Sequence, residues 1–330
     1  MKILIIGGTG FIGSSIAHEL SENIENDITI CDNLFRGKLD ASIKLLLKRE
    51  NVRFINADFT QPSSFELLSK DYDYVYMLAS VVGVKYTEEI PDELIRINTS
   101  LIYNTLEWMK HSSNGKIVFA STSECYAGTV DEFNYKVPTD ERVPLCIPDV
   151  RNPRFTYAIT KMLGESGFYH YAEVHGFNST IVRYHNVYGP RMGFKHVIPQ
   201  VVSRFLNGEE NFKIFGHDQT RSFNFISDAV SGTISAMESN AANGEIIHIG
   251  DMRSEITIEE LVRYIGSLLD YRGDYSFVPA PIGSVSRRCP DTTLAHELFQ
   301  YSPRVSWKNG VRKTVDWYRN YIEAGGIIYE

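Results

Sequence analysis

Residues Met1 to Ser14 read MKILIIGGTGFIGS, and that order leaves the start of the chain few ways to fold. The apolar run Ile3 to Ile6 is too short for a helix, and it stops at Gly7 and Gly8 before an amphipathic stretch, Phe11 to Leu20. Such an order predicts a buried strand, a tight turn and a helix. Each glycine has its own task in that unit. Gly7 permits the sharp turn off the strand, Gly10 removes the Cβ that would keep a pyrophosphate from the backbone, and Gly13 lets the helix lie close on the sheet. Unpaired N–H groups at Phe11 and Ile12, together with the helix dipole, favour phosphate at the helix N-terminus. Gly7, Gly10, Phe11, Ile12 and Gly13 are therefore candidate contacts to a dinucleotide.

A chain of 330 residues, 43% hydrophobic, can bury a full core and is long enough for two lobes. Its net charge is −8 and it holds no long basic run, which argues against nucleic acid as a partner. A cofactor strand at the first residues leaves no room for a signal peptide, and no apolar run approaches membrane-spanning length. A cytoplasmic protein without a membrane partner is expected. Cys31, Cys125, Cys146 and Cys289 show no C-x-x-C spacing, as expected of reduced thiols, and no metal site is expected.

Further along, Asp27 to Cys31 predicts a second strand ending at Asp32, about twenty residues beyond the glycines, where a carboxylate accepts ribose hydroxyls and repels a 2′-phosphate. NAD is thus favoured over NADP, with Arg36 close enough to weaken the preference slightly. A helical stretch (Ala41 to Lys48), a strand (Val52 to Asn56), a short helix after Pro62, a strand (Tyr74 to Leu78), a long helix (Pro91 to His111) and a fifth strand (Lys116 to Ala120) follow. The alternation predicts an α/β protein built on a Rossmann-like, doubly wound parallel sheet, with ligands at the strand C-termini. Asp58, Ala79 and Ser80 fall at such ends and are candidate walls of the cofactor site, Asp58 either facing adenine or serving turn chemistry. Ser121-Thr122-Ser123-Glu124 closes the fifth strand, either as groups beside the reacting carbon or as a polar strand end bonding local backbone. Gly128 to Pro153 reads as irregular. The next helix carries Tyr157 and Lys161 on one face, where an ammonium would favour a phenolate and bring the tyrosine toward the range of a general base.

Together these features resemble the extended short-chain dehydrogenase family, the NAD-dependent nucleotide-sugar epimerases, dehydratases and decarboxylases, over essentially the whole chain. Arg183-Tyr184-His185-Asn186-Val187-Tyr188-Gly189-Pro190-Arg191, Gln219-Thr220-Arg221-Ser222-Phe223 and Arg287-Arg288-Cys289-Pro290-Asp291 agree with its downstream signatures. The resemblance implies that Thr122, Tyr157 and Lys161 are catalytic, that Ser123 and Glu124 decide the fate of a 4-ketone, and that Asn186, Arg221 and Arg288 hold a nucleoside-diphosphate sugar, expected to be UDP-linked. Arg191 is a second candidate for a carboxylate, with a phosphate or surface role as the alternative. It further implies NAD as cofactor, a homodimer paired through the Pro91 and Tyr157 helices, and two units: residues 1–184 with a return segment near 225–251 as the NAD-binding domain, and residues 185–224 with 252–330 as a smaller substrate-binding lobe. Thr-Ser-Glu is most similar to the UDP-glucuronate decarboxylases; a 4-epimerase, a 4,6-dehydratase and a non-catalytic NAD sensor are the other readings.

Overall fold

Ile3 and Ile5 on β1 (Lys2–Ile6) join one hydrophobic core, and Leu4 and Ile6 join another. A strand buried on both sides requires cover on both faces of its sheet. In the computed structural model, which describes residues 1–113, 115–281 and 284–326, that cover is supplied by helices. Residues 282–283 and 327–330 of the expected smaller lobe lie outside the described residues. β1 is followed by β2 (Asp27–Asp32), β3 (Val52–Asn56), β4 (Tyr74–Met77), β5 (Lys116–Thr122) and β6 (Asn178–Tyr184). A late strand, Ile246–Ile249, completes a seven-stranded parallel sheet in the order Ile246–Ile249, β6, β5, β4, β1, β2, β3. β1 pairs with β2 on one side and β4 on the other, so the strand order reverses there and opens a crevice at the strand C-termini.

Local chemistry explains several helix boundaries. α1 (Phe11–Leu20) starts on Gly10 without a side-chain cap, whereas α2 (Ala41–Leu46) is capped by Asp40, whose carboxylate accepts the Ile43 N–H at 3.0 Å. α3 (Val84–Glu89) is followed by α4 (Pro91–Lys110), which opens on a proline with Asp92 and Glu93 against the helix dipole. α5 (Ala127–Phe133) precedes α6 (Thr156–His175), and α6 stops at Gly176, whose φ of 77° ends the helix. α4 and α6 pack side by side on one face of the sheet. α7 (Val197–Leu206) is followed by α8 (Ile226–Glu238), which packs on α1, and α9 (Ile258–Leu268) opens with a capping box between Thr257 and Glu260.

Three elements depart from the sequence expectation, of which α3 fell in a stretch where no element was expected. α5 occupies the start of a stretch that reads as irregular: Gly128 looks like a helix breaker, but its missing side chain makes room for Pro148, since a Cβ would fall 2.6 Å from Pro148 Cγ. β5 continues past Ala120 to Thr122 because β6 pairs with it as far as Thr122 and Tyr184. In a separate three-stranded sheet the strand Thr220–Ser222 lies between Glu255–Thr257 and Arg287–Arg288. Arg288 is the parallel register partner of Arg221 in that sheet.

Candidate active site

Thr122 ends β5, and its hydroxyl accepts the Glu124 N–H at 3.2 Å, turning the chain into one turn of 3₁₀ helix, Ser123–Tyr126. Both readings of this strand end therefore apply: the hydroxyl bonds local backbone and also hydrogen-bonds the Tyr157 phenol. Ser123 is buried beneath Glu124 in this turn. From α6, Lys161 donates to the Ala120 carbonyl at 2.7 Å, and its Nζ lies 5.7 Å from the Tyr157 ring centre. A buried brace holds these elements together. Glu165, one turn beyond Lys161, takes two hydrogen bonds from Arg183 on β6, at 2.8 and 2.7 Å, and one from the Ser121 hydroxyl at 2.5 Å. The brace ties α6 to β5 and β6, and sequence reasoning missed it because its three members are unremarkable in their local settings.

Burial acts on both members of the pair. Burial pushes the Tyr157 phenol well above its ordinary range, and nearby Cys125 and Glu124 add to that; Arg36 and the Thr122 hydrogen bond act in the opposite direction. Burial also pulls Lys161 down to about 8. Without ligand, burial of the phenol works against the phenolate that an ammonium would favour.

Glu124 reaches away from this pair and accepts Arg288 Nη1 at 2.6 Å. Burial opposes charge on Glu124, but Arg288, Arg154 and Arg221 outweigh it and hold the carboxyl below its ordinary range. Arg221 donates to the Thr220 carbonyl at 2.8 Å and to Gln219 Oε1 at 3.0 Å; burial and then Arg288 lower it to about 10. Three guanidiniums thus share the neighbourhood of one carboxylate, with Asp131 at the edge of the group. Such a cluster suits phosphate or carboxylate oxygens. Arg154 was not singled out from the sequence, where it is one of many charges in an irregular stretch.

Asn186, at a φ of 35° after β6, gives its amide N–H to the Ser222 carbonyl at 2.9 Å and so ties the end of β6 to the strand Thr220–Ser222. Arg191 does not join the other arginines. Its guanidinium pairs with Asp40 at 2.7 Å and donates to the Ser14 hydroxyl, bracing α1 and the cap of α2 instead of facing a sugar carboxylate. That destination was not legible locally, because it depends on how the segment after β6 folds back onto α1.

At the other end of the crevice the glycine turn is clear of side chains. Gly7 has a φ of 88°, and a Cβ there would meet Ala79 N at 2.6 Å; one on Gly13 would meet Gly7 O at 2.3 Å. In front of Gly10 a Cβ would find only Gly7 O, at 3.3 Å. An uncapped helix N-terminus behind open space fits a pyrophosphate over the N–H groups of Phe11 and Ile12. Asp32 stands at the end of β2, accepting the Leu34 N–H at 2.8 Å and the Thr9 N–H at 3.3 Å. Ala79 is packed on Gly7 through its backbone, Ser80 donates to the Val81 carbonyl at 3.4 Å, and exposed Asp58 accepts the Thr60 N–H at 3.0 Å as a turn residue.

Known proteins agree with this arrangement. The profile of the NAD dependent epimerase/dehydratase family matches residues 3–250. The chain is 36% identical over 327 residues to UDP-N-acetyl-alpha-D-glucosaminuronate decarboxylase of Bacillus cytotoxicus, covering 96% of this chain and 98% of that one. It is 28% identical to UDP-glucuronic acid decarboxylase 1 of Xenopus tropicalis, covering 98% of this chain and 73% of that one. The crystal structure of UDP-glucuronic acid 4-epimerase from Bacillus cereus, in complex with UDP-glucuronic acid and NAD, superposes with a TM-score of 0.85 at 26% identity, covering 97% of this chain and 99% of that one. With its Rossmann-like sheet, its glycine turn and this match over most of its length, the chain belongs to the NAD-dependent epimerase/dehydratase family and is an NAD-dependent enzyme.

Proposed function

We propose that the enzyme decarboxylates a UDP-linked uronate through a 4-keto intermediate. The observation that carries this reading is the Glu124–Arg288 pair, set among Arg221 and Arg154 one turn beyond the Thr122 that bonds Tyr157. A substrate carrying both a diphosphate and a carboxylate answers that excess of guanidinium charge. The names of the Bacillus cytotoxicus and Xenopus tropicalis relatives support it.

Bound NAD would supply a hydride acceptor for C4 of the sugar and return the hydride at the end. Gly7, Gly10, Phe11, Ile12 and Gly13 would hold its pyrophosphate, Asp32 its adenosine ribose, and Ala79 and Ser80 one wall. The Tyr157 phenolate, favoured by the Lys161 ammonium, takes the proton of the C4 hydroxyl and becomes a phenol, while Thr122 bonds the same oxygen. With C4 a ketone, the C6 carboxylate is that of a β-keto acid. The C5–C6 bond breaks, carbon dioxide leaves, and the electron pair passes into an enolate whose oxygen faces Tyr157 and Thr122. Glu124 is the group available to handle a proton near C5. Ser123 lacks the carboxyl that would protonate a leaving hydroxyl, which disfavours elimination of water.

Incubating the protein and NAD with UDP-glucuronate and with UDP-N-acetylglucosaminuronate, followed by mass spectrometry, tests this. Loss of the mass of carbon dioxide from either is the expected result. An isomer of unchanged mass would replace decarboxylation by 4-epimerisation, the reading favoured by the likeness to the Bacillus cereus enzyme. We further propose a cytoplasmic homodimer paired through α4 and α6. All four cysteines are free, which suits a reducing compartment, and among the described residues no helix is long and apolar enough to cross a membrane.

A further inference from the structure

The glycine turn offers a pyrophosphate only neutral groups: α1 opens FIGS, with no charged side chain in its first turn. A cation arrives from elsewhere. After β2 the chain makes a short bend that its own contacts hold in place. Leu34 adopts a φ of 61° with its N–H on Asp32, and the Phe35 N–H bonds Asn33 Oδ1 at 3.0 Å. At Gly37 a Cβ would fall 1.9 Å from Thr9 Oγ1 and 3.0 Å from both Asp32 carboxylate oxygens, so the bend lies against the glycine turn itself. Arg36 leaves the backbone immediately before that contact.

Its guanidinium lies 5.8 Å from the ring centre of Tyr86 on α3, and the Phe35 ring is 5.9 Å from the same tyrosine. α3 follows β4, so Arg36 bridges the β1/β4 crevice from the β2 side. Tyr86, Tyr157 and Asp32 all act electrostatically on Arg36, and Arg36 in turn helps lower His196. Asp32 stands where an adenosine ribose would lie and Tyr157 where hydride transfer would occur, so the guanidinium lies within electrostatic reach of both. The guanidinium hydrogen-bonds the Tyr86 side chain, which leaves its buried Nε without a hydrogen-bond partner. A rigidly presented, aromatic-backed guanidinium with an unused donor is arranged for an anion.

We infer that Arg36 clamps the pyrophosphate of the bound dinucleotide from the side opposite the α1 N-terminus and slows its release. Retention of that kind matters to an enzyme that reuses one cofactor molecule without net redox. The inference rests on the family's cofactor and stands apart from the choice between decarboxylase and epimerase.

Arg36→Ser and Arg36→Lys, freed of bound nucleotide, are titrated calorimetrically with NAD, ADP-ribose and adenosine beside the unaltered protein. Arg36→Ser is expected to raise Kd for NAD and for ADP-ribose alike, by roughly 10- to 100-fold, a range set by one charge-assisted hydrogen-bonded contact. Adenosine affinity and the melting temperature without nucleotide stay unchanged, and Arg36→Lys recovers part of the loss. Unchanged NAD affinity overturns the inference. So does an equal loss for adenosine, which would make Arg36 a support of the bend, and so does a loss confined to NAD, which would move Arg36 to the nicotinamide end.

Discussion

Burial governs the charged groups beneath the site as well as those in it. Glu141 packs behind the catalytic strand end with a side chain only 10% exposed; its Oε1 accepts the His248 N–H at 2.9 Å. Burial raises its carboxyl from 4.5 to about 7, with Asp291 adding to the shift and Arg183 opposing it. His248, next to it, is lowered to about 3 by burial and then by Arg183, so it stays neutral and offers Glu141 no counter-charge. The folded protein thus binds the Glu141 proton more tightly than the unfolded chain does. Stability must fall as pH rises from about 4.5 to about 7, and the cost is complete above that window. Glu141→Gln keeps the acceptor for His248 and removes the charge. It is expected to raise stability by roughly 1 to 3 kcal/mol at pH 8 and to leave it unchanged below pH 4.5, measured by denaturant unfolding at both pH values.

At the scale of elements, the placement of Tyr157 and Lys161 depends on how closely α6 approaches the sheet. A Cβ on Gly164 would lie 2.3 Å from Phe119 Cζ, and Phe119 is itself stacked on Phe168 with ring centres 4.6 Å apart. Neither ring has room to retreat. On the same helix a Cβ on Gly167 would meet only the tip of Leu106, at 2.9 Å. Gly164→Ala is therefore expected to cost roughly 1 to 3 kcal/mol and to lower kcat by displacing α6, while Gly167→Ala costs less and spares kcat; thermal unfolding and turnover of the two variants decide it. These elements were legible in unequal degree. α1 and β3 coincide with the stretches read from apolar spacing and glycine positions, because those patterns act over a few residues. α3 and α5 were missed, each being short and dependent on packing partners far away in the chain.

For the whole molecule, the exposed apolar side chains on the paired helices call for an explanation. Leu163 is 52% exposed and Ile159 36% on α6, beside Ile95 at 43% and Tyr103 at 57% on α4. If a second copy covers this face, Leu163→Glu places a charge in a dry contact and is expected to yield monomers in light scattering, with the far-UV circular dichroism spectrum unchanged; dimers that persist would remove α6 from the interface. Long-range closure also assembled the rest of the site. Glu124 and Arg288 are 164 residues apart, and only the pairing of Arg287–Arg288 with Thr220–Ser222 sets Arg288 beside Arg221. Local sequence was sufficient for the glycine turn, the acidic end of β2 and the Tyr157–Lys161 spacing, since steric limits on backbone and helical periodicity operate between near neighbours. Tertiary structure alone decided that Arg191 braces α1, that the Arg36 guanidinium lies beside Tyr86 and that burial works against a Tyr157 phenolate. Those outcomes depend on desolvation and on charges supplied by distant segments, which no local pattern records.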